Sequence, residues 1–151
     1  MIYKIDNAFR SELGRSLAMS NEEGMVELLK QAGYSEKAID FYVKKLNVGV
    51  IESASAVGSH TGLCGDSMRV YLKIEEGVIK DAKFQAIGCA GAFASGSALT
   101  EMVKGKRLDE ALEITGQDVI TYLGKMPGPK LHCARLAVNT LKKSIQGSAK
   151  Q

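Results

Sequence analysis

Apolar residues recur at helical spacing over the first third of the chain and at strand spacing in its middle. Phe9, Leu13 and Leu17 fall at i, i+4 and i+8, a helical pattern that Gly14 weakens. Ser20 and Glu23 form a capping box ahead of a stripe of Met25, Leu28, Leu29 and Ala32, which Gly33 ends. Ser35 caps a second helix whose Ala38, Ile39, Tyr42, Val43 and Leu46 share one face. Lys44 and Lys45 lie in its last turn, where the helix dipole favours cations. After Asn47 the period becomes two. Met68 to Glu75 alternates strictly, Glu76-Gly77 reads as a turn, and Val78 to Ile87 reads as a second strand with Ala82, Phe84 and Ala86 on one face. Val48 to Ser53 is expected to add a third strand.

Helical signals return after Cys89. Ala92 to Lys104 predicts a small-residue helix closed by Gly105. Leu108, Ala111 and Leu112 mark a short helix, and Val119, Ile120 and Leu123 another before Gly124. Ala134, Ala137, Val138, Leu141 and Ile145 form the stripe of a last helix. Helices, then strands, then helices predict an α+β fold: a small antiparallel sheet of about three strands against several helices.

Composition narrows the function classes. A chain of 151 residues can bury ~70% of its unfolded surface, so it needs no disulfide or metal staple. Twenty Lys and Arg against 17 Asp and Glu leave a net charge of +3, spread along the chain, which argues against nucleic-acid and membrane-surface partners. The longest uncharged stretch, Ala86 to Thr100, is shorter and less apolar than the ~20 residues of a membrane span. Asp6 and Glu12 interrupt the start where a signal peptide would be apolar, and three cysteines make no disulfide framework. A cytoplasmic protein with free thiols is expected.

The chemistry lies in those thiols. Cys64 sits in Gly62-Leu-Cys-Gly-Asp66 before the Met68 strand, Cys89 where the second strand gives way to a helix, and Cys133 beside His132 at the start of the last helix. Helix N-termini lower a thiol pKa and favour the thiolate that ligates soft metals and attacks sulfur. A lone free cysteine is usually a small buried hydrophobe. Three at junctions, two with a ligating neighbour (Asp66 and His132), point to a site. The spacing matches no zinc finger, and the glycines around Cys64 make no phosphate loop. His60, four residues before Cys64, reads as a solvated loop histidine. Asp66 could alternatively serve only to cap the turn into the next strand.

Cys64-Gly65-Asp66-x-Met68, Phe84-Gln-Ala-Ile-Gly-Cys89 and Lys130-Leu-His-Cys133 together resemble the IscU/NifU N-terminal-type iron–sulfur cluster assembly scaffolds. Glu101 to Lys106, Leu108 to Leu112, Tyr34-Ser-Glu-Lys37 and Asn47-Val-Gly49 extend the resemblance from about Tyr34 to Gly147. Residues 1–33 then form an N-terminal helical extension and residues 34–151 the scaffold domain.

The resemblance implies that Cys64, Cys89 and Cys133 hold a nascent iron–sulfur cluster, 2Fe-2S in preference to 4Fe-4S, with Asp66 or His132 as fourth ligand. Cys133 would accept persulfide sulfur from a cysteine desulfurase, while Lys130 and Asp66 tune ligand exchange. Such a protein is a carrier and not an enzyme. Three thiolates and one exchangeable ligand suit a centre that must be released. An electron donor and apo iron–sulfur acceptor proteins are the further implied partners, and a homodimer is allowed. Met126-Pro-Gly-Pro-Lys130 departs from the family's Leu-Pro-Pro-Val-Lys stretch, which puts a dedicated chaperone in doubt. Zinc would occupy the same ligands in aerobic preparations. The rival readings are a zinc-bound sulfur acceptor with these ligands and a metal-free interaction domain with core cysteines. The short segment between Cys89 and Cys133 leaves no room for the insertion of zinc-dependent sulfurtransferase relatives.

Overall fold

The computed structural model describes residues 21–63 and 65–149. The expected Phe9–Leu17 helix, the Ser20 cap and Cys64 lie outside the described residues. In chain order the elements are α1 (Asn21–Ala32), α2 (Glu36–Lys44), β1 (Ala56–Thr61), β2 (Ser67–Glu75), β3 (Val78–Ile87), α3 (Ala90–Val103), α4 (Leu108–Leu112), α5 (Gly116–Leu123) and α6 (Leu131–Ala149). A single 3-10 turn, Gly128–Lys130, leads into α6. The fold is α+β, as the helix–strand–helix order implies.

The sheet is an antiparallel meander in the order β1-β2-β3. Glu76 and Gly77 both adopt positive φ, 53° and 76°, as a two-residue hairpin turn demands. Period-two burial then sorts the side chains: Val70, Leu72, Ile79, Ala82 and Phe84 are fully buried under α3 and α6. The α6 stripe expected from spacing is all in the core, with Ala134, Ala137, Val138, Leu141 and Ile145 buried.

Three expectations change. The third strand is β1 and not Val48–Ser53: Val48 makes only an isolated parallel bridge to Phe84, whose N–H and C=O bond Asn47 and Gly49. His60 accordingly lies on a strand, opposite Met68, and not in a loop. The reason is steric. The β1 positions that face α6, Ala56 and Gly58, are buried but small, so their alternation carries almost no hydrophobic signal. A Cβ on Gly58 would overlap the Ser144 backbone, so the helix packs directly on the bare strand.

The stripe of α1 is the third change. Leu29 is buried and Val26 packs beside it, whereas Met25 and Leu28 are exposed, at 40% and 60%. The helix rests chiefly on α2 and covers only a narrow strip of it. Among the described residues no helix is long and apolar enough to cross a membrane.

Candidate metal centre

The meander and two helix starts deliver four of the predicted ligands, Asp66, Cys89, His132 and Cys133, to one end of the sheet. Asp66 precedes β2, held by the Gly62 N–H that donates to its carbonyl at 2.8 Å. Cys89 is the N-cap of α3, in extended conformation (φ −83°, ψ 175°), and its carbonyl accepts from Ala92 and Phe93. Its Sγ stands at the positive end of the helix. The turn from Pro127 to Lys130 closes with a Lys130 N–H to Pro127 C=O bond and aims the first turn of α6, with His132 and Cys133, at the same point.

The distances are short. Cys89 Sγ lies 3.5 Å from Cys133 Sγ and 3.6 Å from Asp66 Oδ2. One ligand atom each from Asp66, His132 and Cys133 lie within 4.8 Å of one another. Cys133 is fully buried; Asp66, Cys89 and His132 are half-buried. Thiolate, imidazole and carboxylate at this separation form a donor set suited to iron or zinc. Both cysteines are free thiols. His60 stands apart from the ligand group, in an adjoining cleft of about 170 Å³ that it lines with Leu63, Asp66, His132, Arg135 and Asn139.

Electrostatics divide the two thiols. The hydrogen bond from Cys133 holds the Cys89 pKa below its ordinary value; burial opposes this, and the Ala92 and Gly91 N–H groups and Lys130 reinforce it. Cys133 is pushed up, first by sharing that bond, then by burial and by the negative charge of Cys89. The shared bond therefore pushes Cys89 toward the thiolate and Cys133 toward the thiol. Burial acts to lower Lys130, yet the charge and hydrogen bond of Cys89 outweigh it and keep the ammonium protonated beside the thiolate.

Two glycines and one tyrosine belong to the site although their sequence spacing carried no chemical signal. A Cβ on Gly88 would lie 2.7 Å from Asp66 Cγ and 2.8 Å from Oδ2. A Cβ on Gly91 would lie 3.2 Å from both Cys133 Sγ and the Tyr34 hydroxyl oxygen, and 3.3 Å from Lys130 Cδ. Side chains at either position would displace the ligands. Tyr34 is buried in the core, with its hydroxyl beside Gly91. Its only signal was its place in a short motif.

The family model of the NifU-like N terminal domain matches residues 33–150. The chain is 45% identical over 113 residues to the iron–sulfur cluster assembly scaffold protein IscU 1 of Archaeoglobus fulgidus, covering 74% of each. It is 42% identical over 116 residues to the iron–sulfur cluster assembly scaffold protein IscU of Aquifex aeolicus, covering 75% of this chain and 74% of that one. The crystal structure of a nitrogen-fixing NifU-like protein (N-terminal) from Brucella abortus has the same fold, with a TM-score of 0.65 at 21% identity. That match covers 78% of this chain and 94% of the other.

Proposed function

The chain belongs to the NifU-like N-terminal domain family, and from that premise we propose that it is a scaffold for iron–sulfur cluster assembly. The observation that carries the reading is that Cys89 Sγ lies 3.5 Å from Cys133 Sγ and 3.6 Å from Asp66 Oδ2, while ligand atoms of Asp66, His132 and Cys133 lie within 4.8 Å of one another. Cys64, two residues before Asp66 in sequence, is the third proposed thiolate. Iron and sulfide favour thiolates, and a carboxylate or imidazole in the fourth place gives the cargo an exchangeable corner. The cluster is substrate and product here, so the protein acts as a carrier and not an enzyme. It is proposed to work in the cytoplasm on 2Fe-2S cargo.

Sulfur arrival uses the divided thiol pair. Cys133 passes its proton to the Cys89 thiolate 3.5 Å away and attacks the outer sulfur of a desulfurase persulfide, R–S–SH. The products are Cys133–S–SH and the donor thiolate, R–S⁻. Two electrons and a proton from a donor protein then reduce the persulfide to a Cys133 thiol and hydrosulfide. Lys130, beside Cys89, supplies positive charge while thiolates accumulate. Apo iron–sulfur proteins receive the cluster. Residues 1–33 are proposed as an extension to the domain of residues 34–151, and the altered Met126–Lys130 stretch argues against a dedicated chaperone.

The test is anaerobic assembly with a cysteine desulfurase, ferrous iron and cysteine, followed by visible absorbance and transfer to an apo-ferredoxin. Growth of a sulfide-to-iron spectrum that moves to the acceptor supports the scaffold. Persulfide formation with zinc retained and no iron spectrum would replace it with the zinc-bound sulfur acceptor.

A further inference from the structure

The cleft of about 170 Å³ beside the metal centre takes no part in the steps above. Its walls come from elements far apart in the chain. From β1 comes His60, half-buried, which period two sets on the same face as the buried Ala56 and Gly58, toward α6. From α6 come His132, Arg135, Leu136 and Asn139, which recur at i, i+3, i+4 and i+7 and so share one face. The loop between β1 and β2 adds Leu63 and Asp66. That loop is tied by Gly62 N–H to the Asp66 carbonyl at 2.8 Å and by Gly65 N–H to the Gly62 carbonyl at 3.0 Å.

The cleft and the thiol pair share a wall but differ in chemistry. Asp66 and His132 belong to both, since they line the cleft and their ligand atoms lie within 4.8 Å of that of Cys133. On the cleft side the further neutral polar groups are the imidazole of His60 and the carboxamide of Asn139, with no sulfur among the described residues. On the other side stand the thiols, with Cys133 buried and Cys89 Sγ 3.6 Å from Asp66 Oδ2. The way inward therefore runs from oxygen and nitrogen donors to sulfur. Arg135 is exposed, and its stem lies over Gly116 at the start of α5. At roughly 30 Å³ per water, 170 Å³ holds a metal ion with most of its first water shell.

We propose that this cleft is the entry site for ferrous iron. The ion arrives with part of its water shell and binds Asp66 and His132, while His60 and Asn139 bond to its remaining waters. It sheds those waters as it crosses to the thiolates. The inference rests on the reading of this protein as a cluster scaffold, for which iron is cargo. Carboxylate and imidazole suit an ion that is still hydrated, whereas thiolates hold it more firmly once it is stripped. Cys133 is enclosed, so iron has to reach it from a side already open to water. His60 gives β1 a share in that passage which its packing against α6 does not require.

Ferrous iron is the probe, added anaerobically to the full-length chain with Cys64, Cys89 and Cys133 all replaced by Ser. Equilibrium dialysis should find one ion bound. His60→Ala in that background should weaken it by about tenfold or more, the usual cost of removing a group that supports a metal's own ligands. Arg135→Ala should leave the affinity equal or tighter, because it removes a repelling cation. No binding by the thiol-free chain, or an affinity that His60→Ala leaves unchanged, would overturn the entry site. Weaker binding in Arg135→Ala would overturn it too, by showing that the cleft holds an anion and not the ion itself. Cobalt(II) added to the chain with its thiols covers the case in which the Ser variant does not fold. In stopped flow, His60→Ala should slow the rise of the thiolate-to-cobalt charge-transfer band and leave its final intensity unchanged. Equal rates would overturn the role of His60 and leave the thiolate centre standing. No thiolate band in the wild type would overturn the centre itself, and the inference with it.

Discussion

The carboxylate of Asp66 lies over the bare Cα of Gly88, with its Cγ 2.7 Å from where a Cβ would stand. This contact lets Asp66 Oδ2 approach within 3.6 Å of Cys89 Sγ, which immediately follows that glycine. Gly88→Ala should swing the carboxylate out of the centre. Gly88 is exposed, so the fold should lose no more than about 0.5 kcal/mol, the usual range for surface substitutions. Cluster lifetime in the variant should match that of Asp66→Ala, measured as the decay of visible absorbance in air.

Asp66→Ala is expected to give a cluster that lasts longer and passes more slowly to an apo-ferredoxin. A carboxylate is a harder and more exchangeable ligand than a thiolate, and its charge opposes full ionisation of the thiols around it. Wild-type lifetime and transfer rate at matched loading would leave Asp66 with no part in release.

Alkylation should discriminate between the two described thiols. Cys89 is half-buried and pushed toward the thiolate, whereas Cys133 is enclosed and pushed toward the thiol. Peptide mass mapping after brief iodoacetamide treatment should find Cys89 modified first, already at a pH below the ordinary thiol range. Removing the Lys130 cation takes away a charge that favours the anion. Lys130→Ala should therefore move the Cys89 alkylation profile to higher pH. A profile that stays in place would show that the α3 N-terminus and Cys133 hold the thiolate without it.

Replacing Cys64, Cys89 or Cys133 by Ser leaves a harder, poorly ionised donor. Each variant should lose most of the stable cluster in anaerobic assembly while keeping its far-ultraviolet circular dichroism, because the apolar stripes are untouched. A variant with wild-type yield would drop that cysteine from the ligand set.

Gly58→Ala tests the fold and not the centre. The new methyl would run into backbone atoms of Ser144 and Lys143, which cannot rotate away as a side-chain tip could. Overpacking of this kind costs about 3 kcal/mol. Urea unfolding should show that loss, and a midpoint equal to wild type would mean that α6 can lift from β1 at no cost.

Local pattern was sufficient wherever large apolar residues marked the buried face. The hairpin of β2 and β3, the stripe of α6 and the helix stops at Gly33, Gly105 and Gly124 all follow from side-chain period and glycine placement. The three cysteines also showed from sequence that each stood at a junction, and the helix starts at Cys89 and before Cys133 are where the pattern put them. Strand β1 was hidden because close packing selected residues too small to register as apolar, so His60 looked like a loop residue. The stripe of α1 marked a helix but not its burial: among the described residues Leu28 stays exposed. Tertiary structure alone brought Asp66 over Gly88 and turned the Tyr34 hydroxyl toward Gly91. It alone brought together, at 3.5 Å, two thiols 44 residues apart in the chain. Those relations depend on distances between separate elements, which the order of residues along one element does not encode.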